Sequence, residues 1–185
     1  MPADPTRDRV LAAAKAEFAR YGIAGARIDR IAKAARTSKE RVYAHFDSKE
    51  ALYRVISAQE LAAVAEAARM DPADLPGYAG RIHDYFVAHP ERYRLMRWGQ
   101  LEFGSDGDAI RHTVAYKIEQ LRQAQEAGQL DSAWDPLDVL VLVHQIAMAW
   151  AGQHDLVPED SAAFMAARRA AVVAAVHKLF PAAGH

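Results

Sequence analysis

Two short apolar-periodic segments stand close together near the N-terminus of this 185-residue chain, and they leave few folds open to it. Ile28, Ile31, Ala32 and Ala35 recur at helical spacing; after the polar stretch Arg36-Thr37-Ser38 the pattern resumes with Val42 and Phe46. Apolar residues three and four apart share one face of an α-helix, so each segment reads as a helix that buries a single stripe. A longer helix precedes them, with Val10, Leu11, Ala14, Phe18 and Tyr21 on one face, Thr6 as its expected cap and Gly22 as its stop. Two short helices joined by a tight turn and braced by a third form a tri-helical helix-turn-helix.

The same period continues to the C-terminus, and no stretch shows the alternation of a half-buried strand, so the expected fold class is all-α. Ser48 is a suitable cap for a fourth helix running to about Met70, with Leu52, Val55, Ile56, Gln59 and Ala63 on one side. Asp71-Pro72 and Leu75-Pro76-Gly77 then break the chain. Five further helices are expected over residues 77–88, 91–103, 108–127, 136–152 and 161–180. Their separators are His89-Pro90, the stretch 104–107, the stretch 128–135 and the stretch 154–160. This divides the chain into a helix-turn-helix domain, residues 1–55, a connecting helix, 48–70, and an effector-binding and dimerisation domain, 71–185.

Composition narrows the chemistry. The chain has no cysteine, which excludes disulfides, thiolate catalysis and cysteine-based zinc sites. No apolar run reaches the roughly 20 residues that a membrane-spanning helix requires, and the start MPADPTRDRV is too polar for a signal peptide; a cytoplasmic protein is expected. The net charge of −1 conceals an asymmetry: residues 1–55 carry 12 Lys and Arg against 7 Asp and Glu, while the remainder carries 11 against 17. A basic head on an acidic body suits a phosphate-binding module carried by another kind of domain.

The second short helix offers the side chains for that task. With Val42 and Phe46 turned inward, Lys39, Glu40, Arg41, Tyr43, Ala44 and His45 point outward or along groove walls. Arg41 can form two hydrogen bonds with a guanine edge, Glu40 can accept from cytosine, and Lys39, Tyr43 and His45 can reach phosphate oxygens. Thr37 and Ser38 stand at the turn, the amides beside Ser48 and Lys49 form an anion seat at a helix start, and Arg27 can form an opposite one.

These residues, in the run YGIAGARIDRIAKAARTSKERVYAHFDSKEALY, resemble the DNA-binding signature of the tetracycline-repressor (TetR) family. The resemblance covers about residues 6 to 55. It is carried by Phe18, Tyr21-Gly22, Ile31-Ala32, Ser38-Lys39, Tyr43, His45-Phe46, Ser48-Lys49-Glu50 and Leu52. It implies that the helix from Ser38 to Phe46 enters the major groove, with Tyr43 and Lys49 on phosphates. It also implies a regulator, expected to be a repressor, that binds a pseudo-palindromic operator in double-stranded DNA and leaves it when a small molecule binds. Three positions depart from the family pattern. Ala26 replaces a threonine that caps the second helix, and Glu40-Arg41 replace glycine-threonine, so base preference does not transfer. Arg36 replaces a turn glycine, and a left-handed backbone there costs a non-glycine residue on the order of 1 kcal/mol.

Beyond Met70 the resemblance is looser, with PERYRLMRW its clearest stretch. The segment LDVLVLVHQIAMAW, residues 137–150, is apolar around nearly its whole circumference and needs cover on both sides. The last helix pairs Ala163, Ala167, Ala170, Ala171, Ala174 and Ala175, which permit close approach, with Phe164, Val172, Val176 and Leu179. A homodimer built from these two helices of each chain is expected, and its two-fold symmetry matches paired half-sites. Phe86, Tyr93, Met96, Trp98, Phe103, Tyr116 and Met148, with Gln100 and His144 as polar groups, are the expected lining of a pocket for an apolar or aromatic effector. Neither an enzyme nor a metal or cofactor site is expected. His83 and His89, with Asp84 and Glu91 nearby, do not stack on one helical face, and Pro90 ends their segment.

Overall fold

The computed structural model describes residues 4–103, 108–153, 156 and 162–181. Every regular element among them is helical: α1 Pro5–Gly25, α2 Ile28–Ala34, α3 Lys39–His45, α4 Lys49–Ala67, α5 Leu75–Ala88, α6 Pro90–Phe103, α7 Asp108–Glu126, α8 Pro136–Ala147 and α9 Ala162–Leu179. A single 3₁₀ turn, Pro72–Asp74, precedes α5. The all-α expectation is met. Of the expected breaks, 104–107 lies outside the described residues, and so does 154–160 apart from Leu156.

The chain forms two compact units, and their limits differ from those expected. The first lies within Met1–Ala62 and Glu91–Gly107, the second within Ala63–Pro90 and Asp108–His185. Residues 91–103, expected in the effector domain, thus pack with the helix-turn-helix. The reason is tertiary: Leu95 is buried among the core residues of the first unit, and the Tyr53 hydroxyl donates to the Leu95 carbonyl at 3.0 Å.

In the first unit Val10, Leu11, Ala14 and Phe18 of α1 meet Ile28, Ile31 and Ala32 of α2, Val42 of α3 and Leu52, Tyr53 and Ile56 of α4. Phe18 and Tyr53 stack edge to face with ring centroids 5.6 Å apart, the arrangement that aromatic quadrupoles favour. Two local expectations are corrected. Asp4, not Thr6, caps α1, accepting from the Thr6 amide at 2.9 Å, because Pro5 fits the first helical position and moves the cap back. Tyr21 is 41% exposed rather than buried, its ring lying under the Arg30 guanidinium at 4.4 Å and the Arg20 guanidinium at 5.2 Å. The expected stop at Gly22 is real: its φ of 70° and ψ of 178° interrupt the helix before one last turn.

In the second unit α5 packs against α8 and α9, and α7 against α8. Tyr78, Ala79, Ile82, Tyr85 and Phe86 are buried from α5, with Val139, Leu140 and Val143 of α8 and Val172 and Val176 of α9. Gly80 sets the approach of α5 and α9, since a Cβ there would lie 3.2 Å from Val173 Cγ2. Asp84 fixes the same pair of helices by accepting from Arg169 Nε at 2.9 and 2.8 Å with its two oxygens.

Candidate nucleic-acid interface

The turn between α2 and α3 is built by backbone hydrogen bonds. Thr37 N–H reaches the Ala32 carbonyl at 3.0 Å and Arg36 N–H the Lys33 carbonyl at 3.2 Å. That pairing closes a helix end with one left-handed residue, and Arg36, at φ 52°, is that residue. The backbone is thus left-handed where the family pattern has glycine, and arginine bears the strain. Ser38 then caps α3, its Oγ accepting from the Arg41 amide at 3.3 Å.

Val42 and Phe46 are buried, so the opposite side of α3 faces outward: Lys39, Glu40, Arg41 and Ala44 are exposed and Tyr43 is 43% exposed. Lys39 Nζ lies 3.3 Å from the Asp29 carboxylate, a surface pair of small energetic weight. The Glu40 carboxyl is held below its usual pKa, first by a hydrogen bond from its own amide and then by Ser38. His45 is half-buried, with Nε2 3.5 Å from the Asp4 carboxylate. Thr37 is half-buried at the turn and Arg27 is exposed as the N-cap of α2.

Two contributions escaped sequence reasoning because they link distant positions. Ala26 offers no side-chain cap to α2, yet Glu17 of α1 accepts from the Arg27 amide at 3.0 Å and from Arg30 Nε at 2.6 Å. The Lys49 ammonium, expected on a phosphate, lies 3.2 Å from the Ala24 carbonyl and 3.4 Å from that of Ala26. It ties the start of α4 to the α1–α2 corner, where it stays half-buried.

This braced pair of short helices has counterparts. Residues 10–56 match the family described as bacterial regulatory proteins, tetR family, and residues 74–178 match the tetracyclin repressor-like, C-terminal domain. The chain belongs to the tetR family. Among tetR-family relatives, the HTH-type transcriptional repressor SCO4008 of Streptomyces coelicolor is 39% identical over 154 residues, covering 80% of this chain and 79% of its own. The HTH-type transcriptional repressor NicS of Pseudomonas putida is 33% identical over 138 residues, 69% of this chain and 65% of its own. A solved structure of SCO4942 from Streptomyces coelicolor, a candidate transcriptional regulator, is 55% identical, with a TM-score of 0.84 over 95% of this chain and 98% of that one. The chain is therefore a DNA-binding transcriptional regulator whose head is the helix-turn-helix of this family.

The nine residues expected around an effector are divided between the two units. Tyr93, Met96, Trp98, Gln100 and Phe103 belong to the first, where Phe103 packs on Tyr53 at 5.4 Å and the Trp98 ring lies against Gly22. Phe86, Tyr116, His144 and Met148 belong to the second. Phe86 is buried, His144 and Met148 are half-buried, and Tyr116 is 67% exposed. His144 Nε2 lies 2.9 Å from the Tyr78 hydroxyl, which Lys117 Nζ approaches to 2.6 Å. Neither Tyr78 nor Lys117 was singled out by sequence, because a lone tyrosine and a lone lysine on separate helices carry no spacing signal. Among the described residues no helix is long and apolar enough to cross a membrane, and no group of three His, Asp or Glu is placed to hold a metal.

Proposed function

We propose that the chain is a homodimeric transcriptional repressor of the cytoplasm that holds a pseudo-palindromic operator and releases it when a small, largely apolar or aromatic molecule binds the second unit. The observation that carries this reading is the outward face of α3. Lys39, Glu40, Arg41, Tyr43 and Ala44 project from a helix whose other side is locked into the core by Val42 and Phe46. A helix so mounted can enter a major groove about 12 Å wide. In this reading Arg41 and Glu40 meet base edges, with Ala44 against a thymine methyl. Lys39, Tyr43, His45 and Arg27 meet phosphates, and Thr37 and Ser38 set the helix at the groove edge. Lys49 serves by holding the α4 amides in place while its ammonium remains close to the backbone they approach.

The dimer reading is supported by the last two helices. Leu137 and Val141 of α8 are 47% and 46% exposed, and on α9 the exposed residues include Ala163, Ala167, Ala170, Ala171 and Ala174, a spacing of small side chains that permits close helix approach. The names of SCO4008 and NicS, both transcriptional repressors, favour repression. Effector release requires a coupling of only about 1–3 kcal/mol, which lowers DNA affinity roughly 5- to 150-fold.

A footprint on DNA flanking the chain's own coding region, repeated with metabolite extracts, tests the reading. A protected two-fold repeat that an extract erases is the expected result. Protection that no extract alters would remove the effector, and absence of protection would remove the repressor.

A further inference from the structure

Lys117, Tyr78 and His144 form a directed chain of hydrogen bonds within the second unit. His144 Nδ1 lies 2.7 Å from the Leu140 carbonyl, which can only accept, so Nδ1 carries the ring proton and Nε2 is an acceptor. The Tyr78 hydroxyl, 2.9 Å from Nε2, therefore donates to it, and the same oxygen accepts from Lys117 Nζ at 2.6 Å. Each member holds the next in one orientation, and the chain ends on an ammonium with two further N–H groups.

Among the described residues that ammonium has no counter-charge. Among the described residues its contacts are the Tyr78 hydroxyl and the Tyr78 ring, whose centroid is 5.2 Å away. Burial pushes its pKa down, and no acidic group among the described residues opposes the shift. The nearby Arg81 is engaged elsewhere, with Asp74 at 3.2 Å. A cation taken from water without a partner costs free energy, and a bound anion would offset that cost. One positive charge with two open donors fits a monoanion such as a carboxylate. A phosphate dianion would need a second cation, and Arg81 is not free to supply it.

We propose that Lys117, held in place by Tyr78 and His144, is the anchor for the carboxylate of an acidic effector. This rests on the reading of the second unit as the effector unit, and it narrows the effector to an apolar or aromatic monocarboxylic acid. Tyr78 and His144 are positioning residues, since their hydrogen-bonding atoms are already committed to one another.

Thermal unfolding of the full chain at constant ionic strength near neutral pH tests it, with benzoate and octanoate as probes and benzamide and octan-1-ol as neutral matches. The expected result is a rise in wild-type Tm with at least one acid and with neither neutral match. In Lys117→Met the acid's apparent affinity falls at least about tenfold, the loss typical of a hydrogen bond to a charged group, while Lys117→Arg retains most of it. Unliganded Lys117→Met is expected to melt no earlier than wild type, because it removes an uncompensated cation. A structural lysine would instead show a Tm several degrees lower in that variant, and that result overturns the proposal. So does the absence of any acid-specific shift in wild type, or an equal shift in Lys117→Met. The operator footprint separates this failure from that of the underlying reading: an extract that still erases the footprint while both acids do nothing leaves the effector unit standing and removes the carboxylate.

Discussion

Glu102 and Gly22 are fitted to one another: the Glu102 Oε1 atom lies 2.9 Å from where a Cβ on Gly22 would stand. The fit has a purpose in the backbone. Gly22 breaks α1 at φ 70°, which frees the next amides, and the Glu102 carboxylate accepts from Ile23 N–H at 2.8 Å and Ala24 N–H at 2.7 Å. Helix α6 thus supplies a bidentate cap for the corner from which α2 departs, within the first unit. An alanine at position 22 would meet both a backbone conformation that only glycine adopts easily and the Trp98 ring at 3.0 Å.

Gly22→Ala is accordingly expected to destabilise the first unit by about 1–3 kcal/mol, and Glu102→Ala by about 1–2 kcal/mol through loss of charge-assisted bonds that are partly exposed. Urea midpoints of both variants check this. Wild-type stability in Glu102→Ala would show that water replaces the carboxylate without loss.

Tyr53 and Gly99 form a second close pair. A Cβ on Gly99 would lie 2.0 Å from the Tyr53 hydroxyl, which donates to the buried Leu95 carbonyl at 3.0 Å. Tyr53→Phe should cost about 1–2 kcal/mol, and Gly99→Ala more, because a packed ring cannot retreat. The two changes should be non-additive: with the hydroxyl gone, the alanine becomes cheaper, and a double-mutant cycle in urea measures the difference.

On DNA, Arg41→Ala and Tyr43→Phe should differ in kind. Loss of Arg41 is expected to cost about 1–3 kcal/mol on the operator and to relax preference at one base pair in each half-site. Loss of the Tyr43 hydroxyl should weaken all sequences about equally. Binding of each variant to the footprinted operator and to single-base variants of it distinguishes the two.

His144 makes stability depend on pH. Burial lowers its pKa from 6.5 to about 4, with the Lys117 charge adding to the effect and the Leu140 carbonyl opposing it. The unfolded chain takes up a proton below about 6.5 that the folded chain refuses until about 4, so the unfolded state holds more protons in that window and stability falls as pH drops through it. The loss is on the order of 3 kcal/mol. Buried His83, whose pKa is also lowered by burial, adds in the same direction, while Tyr78, raised by burial, stays protonated throughout. Urea midpoints between these pH values should show a shallower fall in His144→Gln; an unchanged slope would assign the dependence to other groups.

Much of the head could be read before any fold was known, and the reason is that its determinants are local. The Ser38 cap, the inward Val42 and Phe46 and the Gly22 stop each depend on a few neighbouring residues. The cap of α1 was misplaced by two residues because Thr6 and Asp4 are both good caps, and Pro5 decides between them. Tyr21 fits the apolar period but is claimed by two guanidinium groups, a contact that periodicity does not record.

The order of amino acids alone determined that the chain is helical, where most helices begin and end, and which face of α3 is left for a partner, because helical period and capping act over four or five residues. Only the tertiary structure decided that α6 joins the first unit, that Glu102 caps a corner 78 and 79 residues before it, and that Lys117 ends a hydrogen-bonded chain with no counter-charge among the described residues. Those facts depend on which surfaces meet after the helices have formed. A carboxylate or an ammonium reads the same in sequence whether it will face water or a set of unpaired amides.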